Sequence, residues 1–241
     1  MKHPPLNIAF ELSNRCNYSH MHHLCPTIAG ADPVFLKTKI ITDAIDCVAK
    51  LGLNPGIYLN IYNEPMIDPR LFWILQYIHD HSDCETTLFT NGWGFNQYML
   101  DELKNLEVKQ IIISTYSDGE DERLRKMTGE GVMVQRIALD PSVMQIYDSP
   151  PAGKGPCLFP SIYPMVNHLG LMVLCCRDYE WREVLADLNS MSFEEALLSD
   201  KRVKTCDDLV EGKRDLDVCQ RCNHIGWGVT AEEWEKWKAQ Q

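Results

Sequence analysis

The sequence predicts an α/β protein built on a parallel sheet or barrel, with a small cysteine-rich module behind it. Three observations predict this. Short strand-like runs alternate with helix-periodic runs from residue 7 to about residue 139, the pattern of βα units. Near residue 140 the character changes, with Pro141, Pro150, Pro151, Pro156 and two glycines within residues 140–156. The chain beyond has weaker periodicity and several cysteines, as expected of a small module organised by metal. The sequence thus divides into residues 1–145 and 146–241.

Each element has its own reason. Asn7 to Leu12 reads as a first strand. Ile40, Ile41, Ala44, Ile45, Val48 and Leu51 recur at helical spacing within Lys37 to Leu51, and Gly52 is the stop. Gly56 to Tyr62 is a second strand. A helix follows over Pro69 to His79, with Asp68 as its N-cap. Glu85 to Thr90 is a third strand closed by Asn91-Gly92, and Gln97 to Leu106 is a helix. Val108 to Tyr116 is a fourth strand, apolar throughout Ile111 to Ile113 as a buried parallel strand is. Glu120 to Met127 is a helix and Val132 to Leu139 a strand.

Composition narrows the function classes. With 45% hydrophobic residues among 241, a sizeable core is expected. A net charge of −11 argues against broad nucleic-acid binding and against attraction to anionic membranes. No stretch approaches the roughly 20 apolar residues of a membrane span, and Met1 to Leu6 leads into no secretory signal. A cytoplasmic protein is expected, and there ten cysteines point to metal rather than disulfides. Cys47 and Cys84, isolated in or beside helical segments, read as small core residues.

Cys219-Gln220-Arg221-Cys222 can put two thiolates on one metal or one cluster. Cys157 and Cys175 flank two strand-like runs, Ser161 to Val166 and Leu171 to Leu174, joined by a turn at His168-Leu169-Gly170. Such a hairpin brings both cysteines to one end. Spacing alone leaves a structural zinc site of four thiolates and an iron–sulfur cluster both open. Cys176 and Cys206 are left over, with Cys176 facing away from Cys175 if the strand continues through both.

The stretch from Cys157 through Gly170-Leu-Met-Val-Leu-Cys175-Cys176-Arg-Asp178-Tyr179 and Leu188-Asn189 to Phe193-Glu194-Glu195-Ala196 resembles the auxiliary-cluster (SPASM/twitch) module of radical-SAM enzymes. With only four cysteines fitting, it is similar to the shortened twitch version. Upstream, Glu11-Leu-Ser-Asn-Arg-Cys16-Asn17 resembles the start of the motif that holds the first cluster in that family. Asn63-Glu64-Pro65 resembles its "GEP" and Thr90-Asn91-Gly92 its "TNG", while Ser114 matches a position often touching S-adenosyl-L-methionine (SAM). These positions are strand C-terminal ends, where barrel active sites sit.

The resemblance implies a partial (β/α) barrel of the radical-SAM type with a twitch-like subdomain, two 4Fe-4S clusters and SAM. It implies Cys157, Cys175, Cys219 and Cys222 as auxiliary-cluster ligands, and a role for Glu64 on the SAM ammonium, a sound pairing for a carboxylate. The family's second and third cluster cysteines are replaced by His20 and His23. Three readings stand: Cys16, His20 and His23 bind in register; a longer loop lets Cys25-Pro26 supply the last ligand with Cys16 and one histidine; or no standard cluster binds and His20, His22 and His23 are loop residues. The second is favoured because Cys25-Pro26-Thr27 matches the usual continuation. Histidine in place of thiolate raises a cluster's potential, which works against reductive SAM cleavage.

The implied activity is radical modification of a sugar, cyclitol or nucleoside in natural-product biosynthesis, by oxidation, epimerisation or sulfur insertion. The implied partners are a small-molecule substrate and an electron donor such as flavodoxin or ferredoxin. The alternative is a non-radical iron–sulfur or zinc protein. No general base stands out; Tyr116, Asp118 and Arg123 are candidates by position alone.

Overall fold

The computed structural model describes residues 1–18, 32–116, 118–128, 132–136, 146–148, 150–151 and 155–222. In it the alternation becomes β1 (Asn7–Phe10), α1 (Thr38–Lys50), β2 (Gly56–Tyr58), α2 (Leu71–His81), β3 (Thr86–Thr90), α3 (Gln97–Asn105), β4 (Gln110–Thr115), α4 (Asp118–Thr128) and β5 (Val132–Arg136). The C-terminal part adds α5 (Phe159–Ile162), β6 (Met165–Val166), β7 (Leu171–Val173), β8 (Val184–Asp187), α6 (Phe193–Leu198), α7 (Asp200–Val210) and α8 (Asp217–Arg221). Among the described residues no helix is long and apolar enough to cross a membrane.

One eight-stranded sheet runs β5-β4-β3-β2-β1-β6-β7-β8. Strands β1 to β5 pair in parallel, and β6 pairs in parallel with β1 through Ala9↔Met165 and Phe10↔Val166. β7 and β8 complete the sheet as antiparallel neighbours. The segment that the sequence sets apart therefore extends the sheet of the first part.

Neighbouring residues on a strand point to opposite faces, and here the faces carry different clusters. Ile8, Phe10, Ile57, Leu88, Ile111 and Ile113 join the main core with Ile41, Ala44, Ile45 and Val48 of α1 and Leu71, Ile74, Leu75 and Ile78 of α2. Each fully buried Ile or Leu contributes about 1.5–3 kcal/mol. On the other face Ala9, Met165 and Val173 pack with Phe159, flanked by Tyr58, Tyr163, Trp181 and the cysteines 157, 175 and 176.

Four expectations change. Ser161 and Ile162 are helical, because Ile162 N–H bonds Leu158 O, so β6 starts only at Met165. α2 begins at Leu71, since Asp68 spends its carboxylate on the Arg70 N–H (2.8 Å) and on the Arg70 guanidinium (2.7 Å) instead of capping the helix. β7 ends at Val173, so Cys175 and Cys176 lie in a turn and do not alternate as strand residues. α7, which the weak C-terminal periodicity did not reveal, buries Arg202, Cys206 and Leu209.

Two glycines are required by space as well as by backbone. At Gly170, φ is +81°, and a Cβ would stand 2.7 Å from Ile40 Cδ1. At Gly92, φ is +74°, and a Cβ would stand 2.7 Å from Ile113 and 2.8 Å from Leu124. These are the left-handed conformations that side chains resist, and both hold turns tightly against the core.

Candidate active site

Because β1 to β4 run parallel, their C-terminal ends share one edge, and the loops leaving it carry the residues singled out above. The loop bearing Cys16 leaves β1 and returns at Phe35. Its ends are pinned by the Ser13–Phe35 bridge, by Leu36 N–H to Leu12 O (2.9 Å), and by Arg70, which donates to Leu36 O (2.7 Å) and Leu12 O (3.2 Å). His20, His22, His23 and Cys25 lie outside the described residues.

Glu64 is the hub of the edge. It is 3% exposed. One carboxylate oxygen accepts from Met66 N–H (3.0 Å) and Thr90 Oγ1 (2.6 Å); the other accepts from Asn91 N–H (2.6 Å). Burial pushes the carboxyl above its ordinary range, and the three donors oppose that rise. The second oxygen keeps a lone pair for a further donor. Asn63 locks the approach to it, donating to Leu59 O and accepting from Ile61 N–H, both at 3.2 Å. Pro65 starts a single 3-10 turn at Pro65–Ile67.

Asn91 connects this hub to Cys16. Its side-chain N–H2 donates to Asn17 Oδ1 (2.8 Å) and to Cys16 Sγ (3.8 Å). Ser114 stands on β4 and accepts from Gln135 Nε2 (3.2 Å); among the described contacts it does not join the Glu64 network. Of the base candidates, Arg123 donates to Phe95 O (3.1 Å) and Gly92 O (3.5 Å), so it braces a turn. Tyr116 meets Tyr18 edge to face at 5.3 Å. The side chain of Asp118 lies outside the described residues.

Cys175 opens a turn closed by Asp178 N–H on Cys175 O (3.2 Å), and Asp178 is fully buried. Asp178 accepts from the Tyr147 hydroxyl, Arg182 N–H (2.9 Å) and Glu183 N–H (2.8 Å). Arg182 caps the Tyr147 ring, its guanidinium carbon 3.7 Å from the centroid. Cys157, Cys175, Cys219 and Cys222 all join the main core cluster. Burial raises the thiols of Cys157, Cys175 and Cys219, the last to about 12, and neighbouring thiols add to the rise: Cys222 acts on Cys157, and Cys157 and Cys222 act on Cys219. Cys176 belongs to the same group, raised to about 11 by burial, with Cys222 and Cys157 adding. Five thiols therefore share one electrostatic neighbourhood where four were expected.

Among the contacts that join the halves, two lie near these groups, and no local pattern in the chain signals either. The Tyr62 hydroxyl donates to Cys176 O, and its ring lies 5.3 Å from Trp181. Glu11, at the end of β1, accepts from His168 N–H (3.1 Å) and bonds His168 Nδ1 (2.6 Å) at the β6–β7 turn.

The donor sets suit anionic iron–sulfur groups. The N–H2 of Asn91 faces Cys16, and the buried Nδ2 of neighbouring Asn17 has no hydrogen-bond partner among the described residues. At the C-terminal group Arg214 favours the thiolates of Cys157 and Cys219, and Arg177 that of Cys176. Cluster ligation requires that ionised form. Among the described residues no three His, Cys, Asp or Glu side chains are grouped so as to hold a single metal ion.

No family model matches the chain. It is 22% identical over 247 aligned positions to the S-adenosyl-L-methionine-dependent 2-deoxy-scyllo-inosamine dehydrogenase of Niallia circulans, across 94% of this chain and 95% of that protein. Structures of BtrN, one in complex with AdoMet and 2-DOIA and one in an open conformation, match with TM-scores of 0.76 and 0.73 at 19% and 20% identity. They cover 92% and 96% of this chain and 94% and 97% of theirs. Native anSMEcpe with bound AdoMet matches with a TM-score of 0.61 at 11% identity, over 98% of this chain and 95% of its own. The fold is that of the radical-SAM enzymes. The eight-stranded sheet is thus a radical-SAM partial barrel, and the match extends through the cysteine module.

Proposed function

We propose that this chain is a radical-SAM enzyme acting on a small ring substrate, a cyclitol or a related sugar or nucleoside. The observation that carries the proposal is the hydrogen-bonded chain Glu64–Asn91–Cys16 at the strand C-terminal edge of a radical-SAM fold. The likeness to a cyclitol dehydrogenase over nearly the whole of both chains favours the cyclitol. When bound, SAM and a reduced cluster supply a carbon radical able to abstract a substrate hydrogen.

The chain's own groups have defined parts. Cys16, with Cys25 and one of His20 and His23, holds the first cluster. Glu64 turns its remaining lone pair to the SAM ammonium, buried where a charge-assisted bond is strongest. Thr90 and Asn91 fix that carboxylate, and Asn63 and Pro65 fix its loop. Ser114 extends the SAM site onto β4. Cys157, Cys175, Cys219 and Cys222 would hold the auxiliary 4Fe-4S cluster, which would supply a one-electron acceptor for the substrate radical. On the inner face Tyr58 lies 6.1 Å from Phe89 and 5.2 Å from Tyr163, aromatic surface suited to the C–H face of a cyclitol or sugar ring. A flavodoxin or ferredoxin is the proposed reductant.

Anaerobically reconstituted protein given dithionite and SAM is expected to release 5′-deoxyadenosine and to hold about eight irons per chain, four for each cluster. Absence of both SAM binding and 5′-deoxyadenosine would refute the proposal. The second reading is an iron–sulfur or zinc protein without SAM cleavage, favoured by histidines where the motif has cysteines. It requires about four irons, or zinc, with the count unchanged in Cys16→Ala. For the first cluster, Cys25→Ala is expected to remove its spectrum; survival there with loss in His23→Ala selects the in-register set.

A further inference from the structure

We infer that Asn91 acts on the first cluster through Cys16, as the hydrogen-bond donor that sets its reduction potential, and not as a SAM contact. The inference rests on the reading of Cys16 as a cluster ligand.

The orientation of the Asn91 amide is determined by its neighbours. Oδ1 accepts from Trp93 N–H at 2.9 Å, so the NH2 end must point the other way. There it meets Cys16 Sγ at 3.8 Å and Asn17 Oδ1 at 2.8 Å. The residue has little freedom to turn elsewhere. It is 6% exposed, its backbone N–H is held by Glu64 at 2.6 Å, and the next residue is the Gly92 that packs against Ile113 and Leu124. An N–H aimed at a ligand sulfur stabilises the more negative, reduced cluster and raises its potential. The buried Nδ2 of Asn17 beside the same cysteine, which has no partner among the described residues, is a second amide donor available to the cluster.

This donor acts in the same direction as histidine ligation, which also raises the potential. Glu64 then has two duties: it offers a lone pair at the edge, and it holds the residue that tunes the metal.

The test is a redox titration of the reconstituted protein, followed by the electron paramagnetic resonance of the reduced first cluster. Asn91→Ser keeps a short side-chain oxygen that can accept the Trp93 N–H in a Ser turn but is too short to bring a donor to Cys16. Its midpoint potential is expected to shift to more negative values, with the auxiliary cluster's potential unchanged. Asn91→Ala is expected to shift the same way. An intact first cluster titrating at the wild-type potential in Asn91→Ser overturns the inference alone. Wild-type protein whose iron count is unaffected by Cys16→Ala overturns the reading of the site and the inference with it.

Discussion

Replacing Glu64 by Gln tests the hub of the site, because the structure fixes what the new side chain cannot do. The carboxylate accepts on both oxygens, from Thr90 and Met66 on one and from Asn91 on the other. A carboxamide accepts on one side only. With its oxygen toward Met66, its NH2 faces the Asn91 N–H; reversed, it faces the Met66 N–H. Thr90 can rotate its hydroxyl to accept, but a backbone N–H cannot. Either way one buried donor is orphaned, at about 1–3 kcal/mol. Relief of the buried charge offsets part of this, leaving about 1 kcal/mol. At an m-value of about 2 kcal/mol/M this lowers the urea midpoint by roughly 0.5 M.

The pH dependence of the same comparison pits burial against hydrogen bonding. Burial raises the folded-state carboxyl of Glu64 above its unfolded value. A raised carboxyl contributes stability in full below the unfolded pKa, near about 4.3, and loses it as pH rises toward the folded pKa. Glu64→Gln has no such titration. The advantage of wild type over variant is therefore expected to be greatest at low pH and to shrink as pH rises, read from urea melts across that window. An advantage that grows with pH would mean that the three donors outweigh burial, and the reasoning would be wrong. Loss of SAM affinity in isothermal titration is the functional counterpart; unchanged affinity removes Glu64 from the SAM site.

Four further outcomes are expected. Arg202→Met removes a fully buried guanidinium that donates to Leu197 O, His3 O, Pro160 O and Ser161 O at 2.8–3.3 Å; orphaning those carbonyls costs roughly 3–5 kcal/mol in urea unfolding, and a cost under about 1 kcal/mol counts against the account. Gly92→Ala places a methyl group against Ile113 and Leu124 at positive φ and is expected to lower stability by about 2–4 kcal/mol, seen as a drop in melting temperature. Cys175→Ala is expected to lower the iron content by about four per chain, one cluster, while Cys176→Ala leaves it unchanged; the reverse result exchanges the two in the ligand set. Asp178→Asn cannot satisfy all three of its donors and is expected to reduce C-terminal iron while the barrel's far-UV circular dichroism persists.

The order of the barrel elements was legible in the sequence. Alternating apolar runs and helical periodicity are local properties, so β1 to β5 and α1 to α4 emerged with only their ends displaced. Cys16, Glu64 and Asn91 were legible too, because each follows a strand whose parallel direction sends it to the same edge. What stayed hidden depended on partners far along the chain. The Arg70 bond to Asp68 that delays α2 also draws on Leu12 and Leu36. Glu11 meets His168 across 157 positions. Cys176 joins the other thiols only because the chain turns after Val173. The direction of the Asn91 amide is likewise a tertiary outcome: composition gives it two donors and an acceptor, and the Trp93 N–H, with the sulfur of Cys16 opposite, determines which end faces the cluster site.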